Sequence, residues 1–164
     1  MRWMGFLLLI LCGLWLGCSI VQGMRNRLTS LCGWRIFFNR IKTALSYTME
    51  EPILLLGKAN DGEMTKIPVN LCIQALSQGE PFDRAWQKGI GHARHLQETD
   101  KNCLSGFGEI LGSCDLNGQL MQLSLLQAQL EERIQNAQLQ MDQKAKLYRD
   151  LCVMGSLAAV ILLW

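Results

Sequence analysis

The chain has 164 residues, enough for one domain. A formal net charge of +2 with no basic-aromatic pattern excludes the electrostatic footprint of a nucleic-acid-binding protein. Three prolines and almost no β-branched alternation exclude a sheet. Leu, Gln, Ala, Met and Glu dominate the second half, so the class is all-α.

Trp3 to Val21 reads WMGFLLLILCGLWLGCSIV, 19 uncharged residues with Ser19 the one hydroxyl. A helix needs roughly 20 residues to cross about 30 Å of hydrocarbon, so residues 1–23 are expected to be an N-terminal transmembrane helix. Arg25, Arg27, Arg35, Arg40 and Lys42 follow with no acid before Glu50. Because cytoplasmic flanks collect Lys and Arg, the middle of the chain is expected on the cytoplasmic side. The competing reading is an exported or lipid-anchored helical binding protein cleaved before Cys18. Trp15 then stands at the −3 position, where a small aliphatic residue is usual, and the positive charge lies on the wrong side for export.

Residues 24–150 read as a helical domain. Leu31, Trp34, Phe38, Ile41 and Leu45 step by three and four along Leu28 to Met49, which gives one apolar helix face. Membrane-surface contact and core packing explain that face equally well. A short helix is expected after Pro52, then a turn at Asn60 to Gly62. Thr65 is expected to cap the next helix, with Pro68 in its first turn and Val69, Cys72, Ile73 and Leu76 on its apolar side. It stops at Gly79. Pro81 opens a helix with Phe82, Ala85 and Trp86, which Gly89 and Gly91 weaken.

Thr99 or Asp100 is expected to cap a helix through Cys103, Leu104, Phe107, Ile110 and Leu111, with Gly112 at its end. Asp115 is placed to cap the last helix. There Leu116, Leu120, Leu123, Gln127, Leu130, Ile134, Ala137, Met141, Lys144, Tyr148 and Leu151 form a heptad seam. Lys144, Lys146 and Arg149 precede the uncharged end LCVMGSLAAVILLW. Residues 151–164 are therefore expected to be a C-terminal membrane segment, short at about 21 Å for a helix rising about 1.5 Å per residue.

Three features invite chemistry. GFGEILG, Gly106 to Gly112, is close to a dinucleotide fingerprint, but that loop needs a strand before its glycines and TDKNCLSGF reads as helix. Gly106 and Gly108 are better explained as points of close helix approach. His92 and His95 of HARH could share a helix face with Cys103 nearby, but no further ligand stands at a metal-site spacing. Seven cysteines form no C-x-x-C pair, which fits neither a disulfide framework nor zinc. No catalytic site, cofactor or metal is expected.

LSQGEPFDRAWQKGI, CLSGFGEILGSCDLNGQ, the Gln- and Glu-rich helix and KLYRDLCVMGSLAAVILL together resemble the stage III sporulation protein AB family over essentially the whole chain. The most specific positions are Gly79, Ala85, Trp86, Leu104, Phe107, Gly108, Leu111, Gly112, Ser113, Asp115, Gln119, Tyr148 and Arg149. The chain departs from the family where Thr43, Ala44 and Leu45 replace the usual glutamates before Tyr47, and where Glu51-Pro52 replaces Thr-Pro. The resemblance implies a protein of the mother-cell membrane around the forespore, with the middle domain cytoplasmic. It implies a domain similar to the cytoplasmic domain of the type II secretion inner-membrane F protein, a platform without an active site. The partners it implies are other membrane proteins of a secretion-like channel, a secretion-type ATPase and the lipid bilayer, with no nucleic acid; homo-oligomers are compatible with it.

Overall fold

A computed structural model describes residues 2–47, 51–111 and 115–163, all of them helical or in the turns between helices. Side chains are described within these ranges except at 2–14, 16, 17, 145, 146, 149, 152, 153 and 156–163. The helices are α1 (Arg2–Tyr47), α2 (Pro52–Ala59), α3 (Glu63–Ser77), α4 (Phe82–Gly91), α5 (Glu98–Ser105), α6 (Phe107–Ile110) and α7 (Leu116–Leu163). The all-α class holds throughout the described residues.

The chain divides into two compact units, Arg27–Gln135 and a second made of Met1–Asn26 with Asn136–Trp164. In the second unit Ala137 is buried, whereas Trp15, Leu139, Leu147, Leu151 and Met154 are exposed. Most side chains of the two expected membrane segments lie outside the described residues. Among the described residues no helix is long and apolar enough to cross a membrane.

The Arg27–Gln135 unit holds the core. Leu31, Trp34, Phe38, Ile41 and Leu45, the expected stripe, are all buried, together with Phe37. Core packing therefore claims this face of α1. The α7 seam is buried at Leu123, Leu130 and Ile134, with Leu126 beside it. Its polar interruption Gln127 donates through Nε2 to Asn39 Oδ1 of α1 at 2.8 Å, and Arg35 of α1 meets Glu131 at 3.2 Å. The seam packs within the bundle here, against α1.

Several boundaries differ from expectation. Gly62, not Thr65, precedes α3; Thr65 is buried in the first turn, where its hydroxyl donates to the Gly62 carbonyl at 3.1 Å. Pro68 lies beyond the first turn, inside α3, and is buried there. A proline inside a helix costs a hydrogen bond, and α3 meets that cost where Val69 and Cys72 bury its face against the core. Burial pushes the Cys72 thiol up to about 12, so it is an inert packing group. The end of α3 is as expected: Gly79 has φ +85, and the Glu80 N–H reaches the Ala75 carbonyl at 3.2 Å while the Gly79 N–H reaches Leu76 at 2.9 Å. This is a Schellman closure, which a side chain at the left-handed position would strain.

Gly89 does more than weaken α4. A Cβ there would meet the Pro68 carbonyl oxygen at 2.4 Å, so glycine is what lets α4 lie against α3. Gly91, the last residue of α4, has nothing within 4 Å. We expect Gly89→Ala to destabilise the protein by about 1–3 kcal/mol through overpacking, and Gly91→Ala to change stability by no more than about 1 kcal/mol. Unfolding of both variants followed by circular dichroism checks the difference.

Candidate functional site

Two features stand out in the Arg27–Gln135 unit: an aromatic junction and a buried charge. The junction is built around Trp86 of α4, which a helix period places on the same buried face as Ala85, Gly89 and Ile90. Its ring lies 5.8 Å from Trp34, 6.1 Å from Phe37 and 6.3 Å from Phe38 of α1. On its other sides are Phe82, stacked at 6.1 Å, and Phe107 of α6, edge-on at 4.9 Å. Trp86 Nε1 donates to the Leu104 carbonyl at 2.8 Å in the last turn of α5, a carbonyl that the Gly106 N–H also reaches.

Phe107 begins α6 because the chain breaks at Gly106, so α5 does not continue to Leu111 as the sequence suggests. The break turns Phe107 inward. Gly108 is then pressed on α4: a Cβ there would stand 2.9 Å from Asp83 Oδ1 and 3.2 Å from Trp86 Cδ1. Gly106, by contrast, would give a Cβ only an ordinary 3.5 Å contact, so close approach belongs to Gly108 alone of the two. Leu111 is half-buried after α6. Gly112 lies outside the described residues. Asp115 caps α7, its Oδ1 accepting from the Gly118 N–H at 3.3 Å and its carbonyl from the Gln119 N–H at 3.0 Å. Gln119 is half-buried in that first turn. Trp34 Nε1 is buried without a hydrogen-bond partner, its ring in T-shaped contact with Phe37 and Trp86.

The buried charge is Asp100, fully enclosed. It does not cap α5; Gln97 does, and Asp100 Oδ2 accepts from the Gln97 N–H at 3.1 Å. Arg27 of α1 grips the same carboxylate through Nε at 2.8 Å and Nη2 at 3.0 Å, and Arg133 of α7 approaches Oδ1 at 3.5 Å. Burial alone pushes the pKa of this carboxyl up, but the hydrogen bonds from Arg27 and Gln97 and the charges of Arg27 and Arg133 outweigh it. The carboxyl is held below the usual carboxylate range. Nothing in the sequence pairs residues 73 apart, so this triad was invisible there.

Chemistry has little to work with. His92 and His95 lie in the turn after α4 instead of on a shared helix face, and His95 has φ +61. Among the described residues no group of three or more His, Cys, Asp or Glu is placed to hold a metal. An open groove of about 430 Å³ is lined by α1 and α2 residues that include Ile36, Arg40, Tyr47 and Lys58. Ala44 of the departing stretch lines it too, while Leu45 faces the core. A family model described as stage III sporulation protein AB matches residues 2–164. Searches of curated proteins and of solved structures find no match.

Asp100→Asn leaves two guanidiniums facing a neutral amide and is expected to cost about 3–5 kcal/mol. A lowered carboxyl pKa contributes stability that is whole above the unfolded value near about 4 and is lost as pH falls below it. Acid unfolding should therefore be steeper below about pH 4 in the parent protein than in Asp100→Asn. Stability measured across that pH range, with Trp86→Ala (about 3–5 kcal/mol at any pH) as the pH-independent control, checks the sign.

Proposed function

The chain belongs to the stage III sporulation protein AB family, and on that footing we propose that it is a non-enzymatic membrane platform of a secretion-like channel between mother cell and forespore, acting after engulfment. Membership implies a role in stage III sporulation and points to no enzymatic family. The observation that carries the finer reading is the course of the two long helices. α1 and α7 supply the core faces of the Arg27–Gln135 unit, and each also includes one of the uncharged terminal runs, Trp3–Val21 and Leu151 onward.

In this reading both runs enter the membrane, and the basic residues after the first and before the second hold the domain on the cytoplasmic side. A domain tethered at both ends stays at the bilayer, within reach of a cytosolic secretion-type ATPase and of channel proteins in the membrane. Its contribution is a rigid surface. The aromatic junction and the Asp100 triad fix α1, α4, α5, α6 and α7 together, which suits a part that transmits contact without chemistry of its own.

Charges in both runs test this. A lysine near a span's centre costs about 2.5–3.5 kcal/mol, so Leu8→Lys and Leu11→Lys combined with Leu157→Lys are expected to release the chain from sedimenting membranes and to stop spore development after engulfment. Spores formed at the parental level by a chain found in the soluble fraction would overturn the platform reading.

A further inference from the structure

The turn between α4 and α5 carries Arg94 between His92 and His95 and no acid. His92, Arg94 and His95 are exposed, while Ala93 between them is buried. Ser30 Oγ of α1 donates to the Arg94 carbonyl at 3.3 Å, and the Ala93 N–H reaches the Ile90 carbonyl at 2.9 Å. The backbone is thus anchored while the three side chains stay at the surface. His92 Nδ1 is committed to the Lys88 carbonyl at 3.0 Å, which leaves its Nε2 as the ring's other polar atom. Among the described residues no ion pair or hydrogen bond engages the Arg94 guanidinium or the His95 ring.

Neighbouring acids do not neutralise this face. Glu98 is paired with Lys101 at 3.0 Å, and Lys88 with Glu80 at 2.9 Å. Asp100 serves both Arg27 and Arg133, so two guanidiniums share one carboxylate and one positive charge remains. Arg94 adds a second. The turn is tied to this cluster directly, because the Gln97 N–H and Arg27 Nε meet the same oxygen of Asp100.

Arg27 follows Val21, the end of the uncharged run, by six positions. Even a fully extended chain covers at most about 22 Å in that distance. With the run in the bilayer, which is the reading this inference rests on, the cluster beside Arg27 cannot lie far from the headgroups. We infer that the His92–His95 turn docks on the anionic lipid headgroups of the membrane that tethers the chain. Anionic leaflets attract basic residues held near them by roughly five-fold per charge, and salt screens that attraction. The dock would fix which face of the domain points away from the bilayer.

Full-length protein in nanodiscs of phosphatidylcholine alone, and of phosphatidylcholine with phosphatidylglycerol, provides the test. Amide exchange across residues 92–97 is expected to be slower in the anionic discs by roughly five-fold for each of the two charges, about 25-fold together, and the difference should vanish in high salt. Arg94→Gln with His95→Gly should reduce it to roughly five-fold. Glycine accepts the positive φ of His95, so that variant keeps the turn, and unchanged circular dichroism verifies it. Equal exchange in the two discs overturns the dock while leaving the tether intact, as does protection that needs an added protein instead of an anionic lipid. Failure of the chain to enter either disc overturns the membrane reading and the dock with it.

Discussion

The Arg27–Gln135 unit depends on one side chain, Trp86. Its ring contacts three aromatic rings of α1, one of its own helix and one of α6, and its indole N–H donates into the last turn of α5. An indole buries roughly 150–250 Å², and here that area is shared among four helices at once. Helices this short cannot hold themselves: α4 has ten residues, α5 eight and α6 four, below the length at which an isolated helix is stable in water. Trp86 supplies the common wall against which they order. The glycines follow from that demand. Gly89 brings α4 onto α3 and Gly108 brings α6 onto α4, because a central ring can touch so many partners only if the backbones around it come close.

A second constraint works at the edge of this junction. Asp100 joins α5 to α1 through Arg27 and to α7 through Arg133. Buried ion pairs add little net stability, since desolvation offsets most of the attraction. They do penalise any arrangement in which the partners separate. The two long helices are thus held by apolar packing in the middle and kept in one register by a charge that tolerates no alternative. The platform role proposed above would need that kind of definition, with surfaces that stay put while partners act.

Much of this was legible in the sequence where the signal was periodic. The stripe from Leu31 to Leu45 and the α7 seam from Leu123 to Ile134 are buried as their spacing requires, and Gly79 and Asp115 end and begin helices by local chemistry that a few residues encode. What was not legible is what depends on contact between distant elements. Thr65 looked like a cap and is a buried first-turn residue, because Gly62 and Asn60 engage its hydroxyl. Asp100 looked like a cap and is the hub of a triad spanning residues 27 to 133. Gly89 looked like a weak helix residue, and only its neighbour Pro68 reveals that it has no room for a methyl group, whereas Gly108, expected at a close helix approach, stands against Asp83 and Trp86. Of the positions that carry the family resemblance, Gly79, Trp86, Phe107, Gly108 and Asp115 lie at the junction or its borders.

The central claim is that this domain faces the cytosol from a membrane tether, and topology tests it most directly. Asp61 is exposed in the turn before α3, so Asp61→Cys in a chain without its seven native cysteines offers a single reporter thiol. A membrane-impermeant thiol reagent applied to intact and to lysed protoplasts should label it only after lysis. Labelling in intact protoplasts would place the domain outside the cytosol, beyond the reach of an ATPase, and contradict the platform.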